Sequence, residues 1–544
     1  MKKLLVLLLI LVFALSGIVG CTDGTAEVTT EKATGPAVTE APTEPATEPQ
    51  TEPQTEPATT EPATTEEPET EPVTFGEFVI EPDEDATLSV SRTYSDHMVI
   101  QRDVRFKVWG FSNKDGAEIR GLFMGDEARA VVADGKWEMT FAPKEATDEP
   151  QTLTIDDSCG NTVTFADILV GDVYFIAGQS NAEITLSNYW SVANKQKYDE
   201  SRPLRLFQEG ADYVIANKKT ATEPWEDVKN PQWYWRTASR NTAVATSALG
   251  YFVGSELVDK TGVPIGIVCM AANGAKINEL MPKELVAKFK YKVGGNVSPS
   301  AYYNALMHPF LNMKFKAMVF FQGESEAFAG ANPAPKKYAR DFEAVMTEYR
   351  RLWGFDFPIY NVQLSDYTAA GSKSCINVGQ VRTEQYNAYK AMTGIRLIPS
   401  YDLGAEEGDP NHFHSPYKKE LAERIVPLIL ADLYGMGDIN DALAPEPVEI
   451  TLSEDKTYFT VRFENVGEGL VSTSGDNTVA GFAVGKLAKL TPAEAEIIAK
   501  DTVKVYVPKG AGSLGIGYAA ITHVTDETVQ LYNSNGIPAL AFYK

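Results

Sequence analysis

A serine, two late histidines and two polar clusters are the residues of this sequence best suited by type and position to do chemistry. Ser180 sits in Gly178-Gln179-Ser180-Asn181, directly after the apolar run Val173 to Ala177. A hydroxyl at such a strand-to-helix junction meets the free N–H groups of a helix N-terminus, where negative charge is stabilised. That suits a nucleophile with part of its own oxyanion hole; it also suits a plain helix N-cap. Two further apolar runs end in polar clusters. "KAMVFF" leads into Gln322-Gly323-Glu324-Ser325, and "IVCMA" into Ala272-Asn273-Gly274. Of the 5 histidines, His97 and His523 lie in flanking segments and His308 precedes Pro309. His412 and His414, together in "GDPNHFHSPYKKELAERI", remain as candidate bases for Ser180. Counting back from His412 gives Asp409, a literal Asp-x-x-His; counting back from His414 gives no acid at that spacing.

These residues need a scaffold, and the apolar runs supply one. "DVYFI", "LRLF", "VPIGIVCM", "KAMVFF", "FPIYNVQL" and "GIRLIPS" read as buried strands. Helical patterns such as "SALGYFVGSELVDK" and "KKYARDFEAVMTEYRRLW" lie between several of them. Continuous strands alternating with helices predict a parallel sheet covered on both faces over residues 170–437. Ligands bind beyond the carboxyl ends of the strands in such sheets, which is where Ser180 falls. Residues 77–169, with strand patterns from near Thr87, and residues 438–544 carry short alternating runs such as "RFKVWGF", "KWEMTFAP", "TYFTVRFENV" and "DTVKVYVPK". Those predict a β region on each side.

The N-terminal segment reads as targeting sequence. Lys2 and Lys3 precede the apolar run Leu4 to Leu15, and Ile18-Val19-Gly20-Cys21 follows. This is the pattern of a secretory signal, and its end resembles a bacterial lipoprotein box in which Cys21 becomes the lipidated first residue. Residues 1–21 are therefore expected to direct export. The later apolar runs are too short to span a bilayer, so the lipid is the expected membrane contact of a cell-surface protein outside the cytoplasm. Residues 22–76 repeat Thr-Glu-Pro, with 10 glutamates from Glu40 to Glu71 and no lysine or arginine there. Such a stretch has little to bury and stays extended; at about 3 Å per residue it reaches more than about 100 Å. The formal net charge of −25 over 544 residues excludes a general nucleic-acid binder, which needs a basic face. Cys159, Cys269 and Cys375 lack any CxxC spacing, which is neither a disulfide framework nor a zinc site.

The blocks "GDVYFIAGQSNAE", "MVFFQGESEA" and "HFHSPYK" together resemble the motifs of the sialate O-acetylesterase-type branch of the SGNH hydrolases. "SDHMVIQRDVRFKVWG" is similar to that family's N-terminal β domain and "YNSNGIPALAFYK" to its C-terminal end, so the resemblance covers roughly residues 88–544. It implies an α/β fold: a three-layer, flavodoxin-like α/β/α SGNH domain flanked by β domains. It implies a serine esterase acting on O-acetylated carbohydrate, with no metal or organic cofactor. Carried over, Ser180 is the nucleophile, His414 the base, and the N–H groups of Ser180 and Gly274 with the Gln322 side chain hold the oxyanion. Asn273-Gly274 stands where the family has Gly-Gly. The family often places an Asp two or three residues before its histidine. His414 lacks one, so Glu324 is the expected acid, with Asp409 and His412 as the alternative acid and base. Acetyl groups on sialic acid, xylan, pectin or peptidoglycan all fit. Two other readings share the scaffold: a glycan-binding lipoprotein on a degenerate fold, and an arylesterase or lipase-like enzyme. The flanking β regions are expected to close the sides of the cleft. Trp190, Trp233 and Trp235 are candidates for a stacking platform.

Overall fold

The computed structural model describes residues 75–207, 221–229, 234–292, 298–366, 377–404, 414–511, 515–521 and 528–544. The signal segment, Cys21 and the stalk up to residue 74 lie outside the described residues, as do Trp233, Cys375, Asp409, His412 and His523.

All six strands expected in the central region form, at Thr162–Gly178, Leu204–Phe207, Ile265–Ala271, Ala317–Phe321, Ile359–Gln363 and Ile395–Pro399. They share one sheet, in the spatial order Leu204–Phe207, Ile265–Ala271, Thr162–Gly178, Ala317–Phe321, Ile359–Gln363, Ile395–Pro399, and every pairing in that series is parallel. Trp235–Thr237 adds an antiparallel strand at one edge. The Trp235 side chain is fully buried, with Nε1 donating to the Thr93 carbonyl at 3.0 Å. It is core and cannot serve as a sugar platform.

The central strand explains how the two sheet types meet. Its first six residues are exposed or half-buried and pair antiparallel with Thr147–Asp157 of the N-terminal β region. From Ile168 to Gly178 every residue is buried, and the strand has parallel neighbours on both sides. The residue pattern changes at the same place, from "TVTFAD" to "ILVGDVYFIAG". A half-solvated antiparallel strand thus becomes a doubly covered parallel one without a break. The boundary expected at 169–170 falls inside this single strand.

Helix Ala248–Thr261 packs beside Lys418–Tyr434, and Tyr338–Trp353 beside Val378–Ala391, which gives two helical layers. Ser247 caps the first of these by accepting from the Gly250 N–H at 3.0 Å. Phe342, Val345, Met346, Tyr349 and Trp353 form the buried stripe of Tyr338–Trp353 at helical spacing.

Residues 446–544 form a separate β region with its own core, built on the four-stranded sets from Glu446–Leu452 to Ala495–Ala499 and from Lys489–Pro492 to Phe542–Tyr543. It docks on the Val378–Ala391 helix. A Cβ on Gly379 would collide with the Ala520 carbonyl oxygen. The buried Arg382 guanidinium donates to the carbonyls of Leu364 (2.7 Å), Ser365 (2.9 Å) and Ile521 (3.1 Å). Among the described residues, no helix is long and apolar enough to cross a membrane.

Candidate active site

Ser180 reaches the sheet's carboxyl edge because Gly178 permits the exit. Gly178 has φ +132° and a Cβ there would strike the Phe321 carbonyl oxygen, so only glycine fits. Gln179 is extended, and a single helical turn, Ser180–Glu183, follows. The Gln179 carbonyl accepts from the N–H groups of Ala182 (2.9 Å) and Glu183 (3.0 Å). Among the described residues, the N–H groups of Ser180 and Gly274 find no acceptor within the protein. Both remain available to an anion, as a helix N-terminus and an open turn allow. Ser180 keeps 7% of its surface exposed.

Three strand ends are tied together here. The Gln179 N–H donates to Phe321 at 3.0 Å. Its side-chain oxygen accepts from the N–H of Ser325 at 3.2 Å and of Gly323 at 3.4 Å. The Ser325 hydroxyl donates to the Gly274 carbonyl at 3.0 Å, and the Ala272 N–H to the Gly178 carbonyl at 3.2 Å. The Gly274 turn, the Ser180 turn and the 323–325 turn are thereby fixed to one another.

Gln322 is turned into this framework. Its Nε2 lies 2.6 Å from Glu326 Oε2, 3.1 Å from the Ala275 carbonyl and 3.2 Å from Gln179 Oε1. Those acceptors already outnumber its hydrogens, so an oxyanion would have to compete for them. Its Oε1 is buried without a partner.

Glu324 accepts from Asn181 Nδ2 at 2.6 Å, and Asn181 Oδ1 accepts from Lys418 Nζ at 2.6 Å. The lysine ammonium lies 5.3 Å from the centre of the Phe321 ring. Burial pushes the Glu324 carboxyl up to about 7, against the pull of Asn181 and Lys418. Burial pushes Lys418 down to about 7, with Glu324 acting the other way. Glu326 is pushed up to about 8 by burial although Ile277 N–H and Gln322 donate to it. His414 is half-buried and driven down to about 4, first by burial and then by the Lys418 charge. Among the described residues, no carboxylate accepts a hydrogen bond from His414.

The structure therefore gathers Ser180, Gly274, Gln322 and Glu324 at one sheet edge, with His414 four residues before Lys418, which reaches that edge through Asn181. Gln179, Asn181, Glu326 and Lys418 carry parts of the arrangement that the sequence did not assign. Their signal was present: all four sit inside or beside the three motif blocks. Among the described residues, no group of three or more His, Cys, Asp or Glu could hold a metal ion, and Cys159 and Cys269 are free thiols.

A parallel sheet that ends its central strand in this serine turn is the fold of the SGNH-type carbohydrate esterases. Residues 170–431 match the family described as carbohydrate esterase, sialic acid-specific acetylesterase. It is 24% identical over 322 residues to the human sialate O-acetylesterase, covering 53% of this chain and 58% of that protein. The mouse sialate O-acetylesterase is 23% identical over 341 residues, covering 51% and 60%. The chain thus spans under two thirds of the length of these curated relatives. The crystal structure of a carbohydrate acetylesterase from Xanthomonas citri superimposes with TM-score 0.70 and 25% identity, covering 84% of this chain and 99% of that one. That match extends well past residues 170–431 into the flanking β regions.

Proposed function

We propose that the protein is a serine esterase that removes O-acetyl groups from carbohydrates through an acetyl-enzyme. The carrying observation is Ser180 at the end of the central strand, with its own N–H and that of Gly274 left without acceptors among the described residues, inside the stretch 170–431 that matches this family. Ser180 Oγ attacks the acetyl carbonyl while His414 takes its proton. The negative charge that develops on the carbonyl oxygen is met by the two N–H groups; losing one such donor costs about 10²–10³ in rate in a well-studied hydrolase. The tetrahedral intermediate collapses, the sugar hydroxyl leaves with the proton from His414, and acetyl-Ser180 remains. Water, deprotonated by His414, then releases acetate. An imidazole held neutral down to about pH 4 is in its proton-accepting form throughout the neutral range.

The test is acetate release from a panel of acetylated sialic acid, xylan, pectin and peptidoglycan, with p-nitrophenyl acetate alongside. Ser180→Ala should lose several orders of magnitude in kcat. Near-normal turnover by that variant would remove Ser180 as nucleophile. No acetate from any substrate with the wild type would favour a glycan-binding role.

We further propose export and lipid attachment at Cys21, on the lipoprotein-box resemblance and the Thr-Glu-Pro stalk. Cys21→Ala should release the protein from membranes or leave it unprocessed; unchanged attachment and processing would end this reading.

A further inference from the structure

A lysine whose side chain is almost wholly withdrawn from water is expensive to bury unless its charge is used. Lys418 is 1% exposed, and it opens the last helix of the α/β region, four residues after His414. Its ammonium donates to Asn181 Oδ1 at 2.6 Å, and Asn181 Nδ2 donates to Glu324 Oε1 at 2.6 Å. Asn181 and Glu324 are 2% and 1% exposed. The chain of contacts joins three separate segments: the turn holding Ser180, the 324–326 turn, and the helix that follows His414.

We propose that Lys418 is a positioning residue of the site: through Asn181 it locks the Ser180 turn to Glu324. Asn181 is the residue next to the nucleophile, so fixing its amide from both ends fixes the backbone that presents the Ser180 hydroxyl and N–H. A lysine donates but cannot accept, which orients the amide with its oxygen toward Lys418 and its nitrogen toward Glu324. The second effect is electrostatic. Burial disfavours the His414 imidazolium first, and the Lys418 charge adds to it. Among the described residues, the charged groups at this point are Lys418 from the helix and Glu324 from the opposing turn. Glu326, from the same turn, is held by the Ile277 N–H at 2.8 Å and by Gln322.

The test compares the purified full chain with Lys418→Met and Lys418→Gln, two variants that remove the charge at similar length. Glutamine can still donate to Asn181, so it guards against a folding failure of the methionine variant. The first readout needs no activity: the His414 imidazole is titrated by NMR and assigned with His414→Ala. The midpoint should move to higher pH in both variants. The second readout is kinetic and rests on the esterase reading. kcat on p-nitrophenyl acetate should fall tenfold or more with KM within about threefold, and the acid limb of kcat/KM should move up in pH with the imidazole. The proposal is overturned if the His414 midpoint stays at the wild-type value in the folded variants. It is equally overturned if kcat is unchanged in an active enzyme. Absence of ester hydrolysis in the wild type itself counts against the esterase reading, and the titration then judges Lys418 alone.

Discussion

The carbonyl oxygen of Phe321 occupies the place a side chain on Gly178 would need, and it also accepts the Gln179 N–H at 3.0 Å. The Ser180 turn is thus pressed against the neighbouring strand end with no slack. Gly178→Ala must push the strand ends apart or abandon φ +132°, and either shift is carried to Ser180 two residues on. A displacement of about 1 Å at a reacting group costs on the order of 10² in rate. The expected result is a loss of at least that size in kcat/KM on p-nitrophenyl acetate, with a lowered Tm. Wild-type values of both would show that the close approach is not needed.

Glu326 provides a stability prediction with a definite sign. Its carboxyl is held at about 8 in the folded protein against 4.5 for the free group. Between those values the unfolded chain has released a proton that the folded protein still holds, so stability is lost as pH rises from about 4.5 to about 8. The steepest loss from one such group is about 1.4 kcal/mol per pH unit. Glu326→Gln removes this term. Its amide oxygen can still accept from the Ile277 N–H, while its NH2 replaces the oxygen that faces Gln322 Nε2, a loss that is the same at every pH. Relative to wild type, the variant should therefore gain stability as denaturation is followed from pH 5 to pH 8. A constant difference across that range would show that Glu326 is ionised throughout.

Much of the scaffold was legible in the sequence because burial on both faces leaves a strand mostly apolar, with Asn361 and Gln363 among the buried exceptions. "DVYFI", "KAMVFF" and "FPIYNVQL" could hardly be anything else in an alternating pattern. The strand Trp235–Thr237 was not legible: three residues at an edge carry too little periodicity, and its tryptophan read as a surface aromatic. Nor was the continuity of Thr162–Gly178, since its two halves carry different patterns and read as two elements. The site shows the same division. Motif blocks named Ser180, Gln322 and Glu324, but a motif does not say which way a side chain turns. Gln322 faces Glu326 and Gln179, and Lys418 meets Asn181 across 237 positions of sequence, a contact only the folded chain creates.

Arg382 joins the catalytic region to the C-terminal β region. Its donors meet carbonyls on both sides, Leu364 and Ser365 on one and Ile521 on the other. Burial pushes the guanidinium down to about 10, with Asp366 opposing, so part of the gain offsets desolvation. Arg382→Met keeps much of the volume and strands those carbonyls; each buried orphan costs about 1–3 kcal/mol. The unfolding free energy should fall by about 3 kcal/mol or more in urea melts. A change under about 0.5 kcal/mol would mean that water replaces the guanidinium without loss.

The last prediction concerns the base and its acid. Pro416 and Lys418 follow His414 at the spacing of the family motif, and Lys418 reaches the Ser180 turn, so His414 is the base we expect. Glu324 commits Oε1 to Asn181, while its Oε2 is buried without a partner. A carboxylate that orients a catalytic imidazole sets its tautomer and stabilises imidazolium, and its loss costs up to about 10⁴ in the best-studied triad. Glu324→Gln retains an oxygen for Asn181 yet removes the charge opposite Lys418. It should therefore cost more in kcat than Asp409→Asn, while His414→Ala abolishes turnover and His412→Ala only weakens it. The four variants are compared by kcat on p-nitrophenyl acetate after circular dichroism shows each to be folded. An inactive His412 variant beside an active His414 variant reverses the base. A nearly silent Glu324→Gln hands the orienting role to Asp409 or to a main-chain carbonyl, and leaves Glu324 as the partner of Asn181 alone.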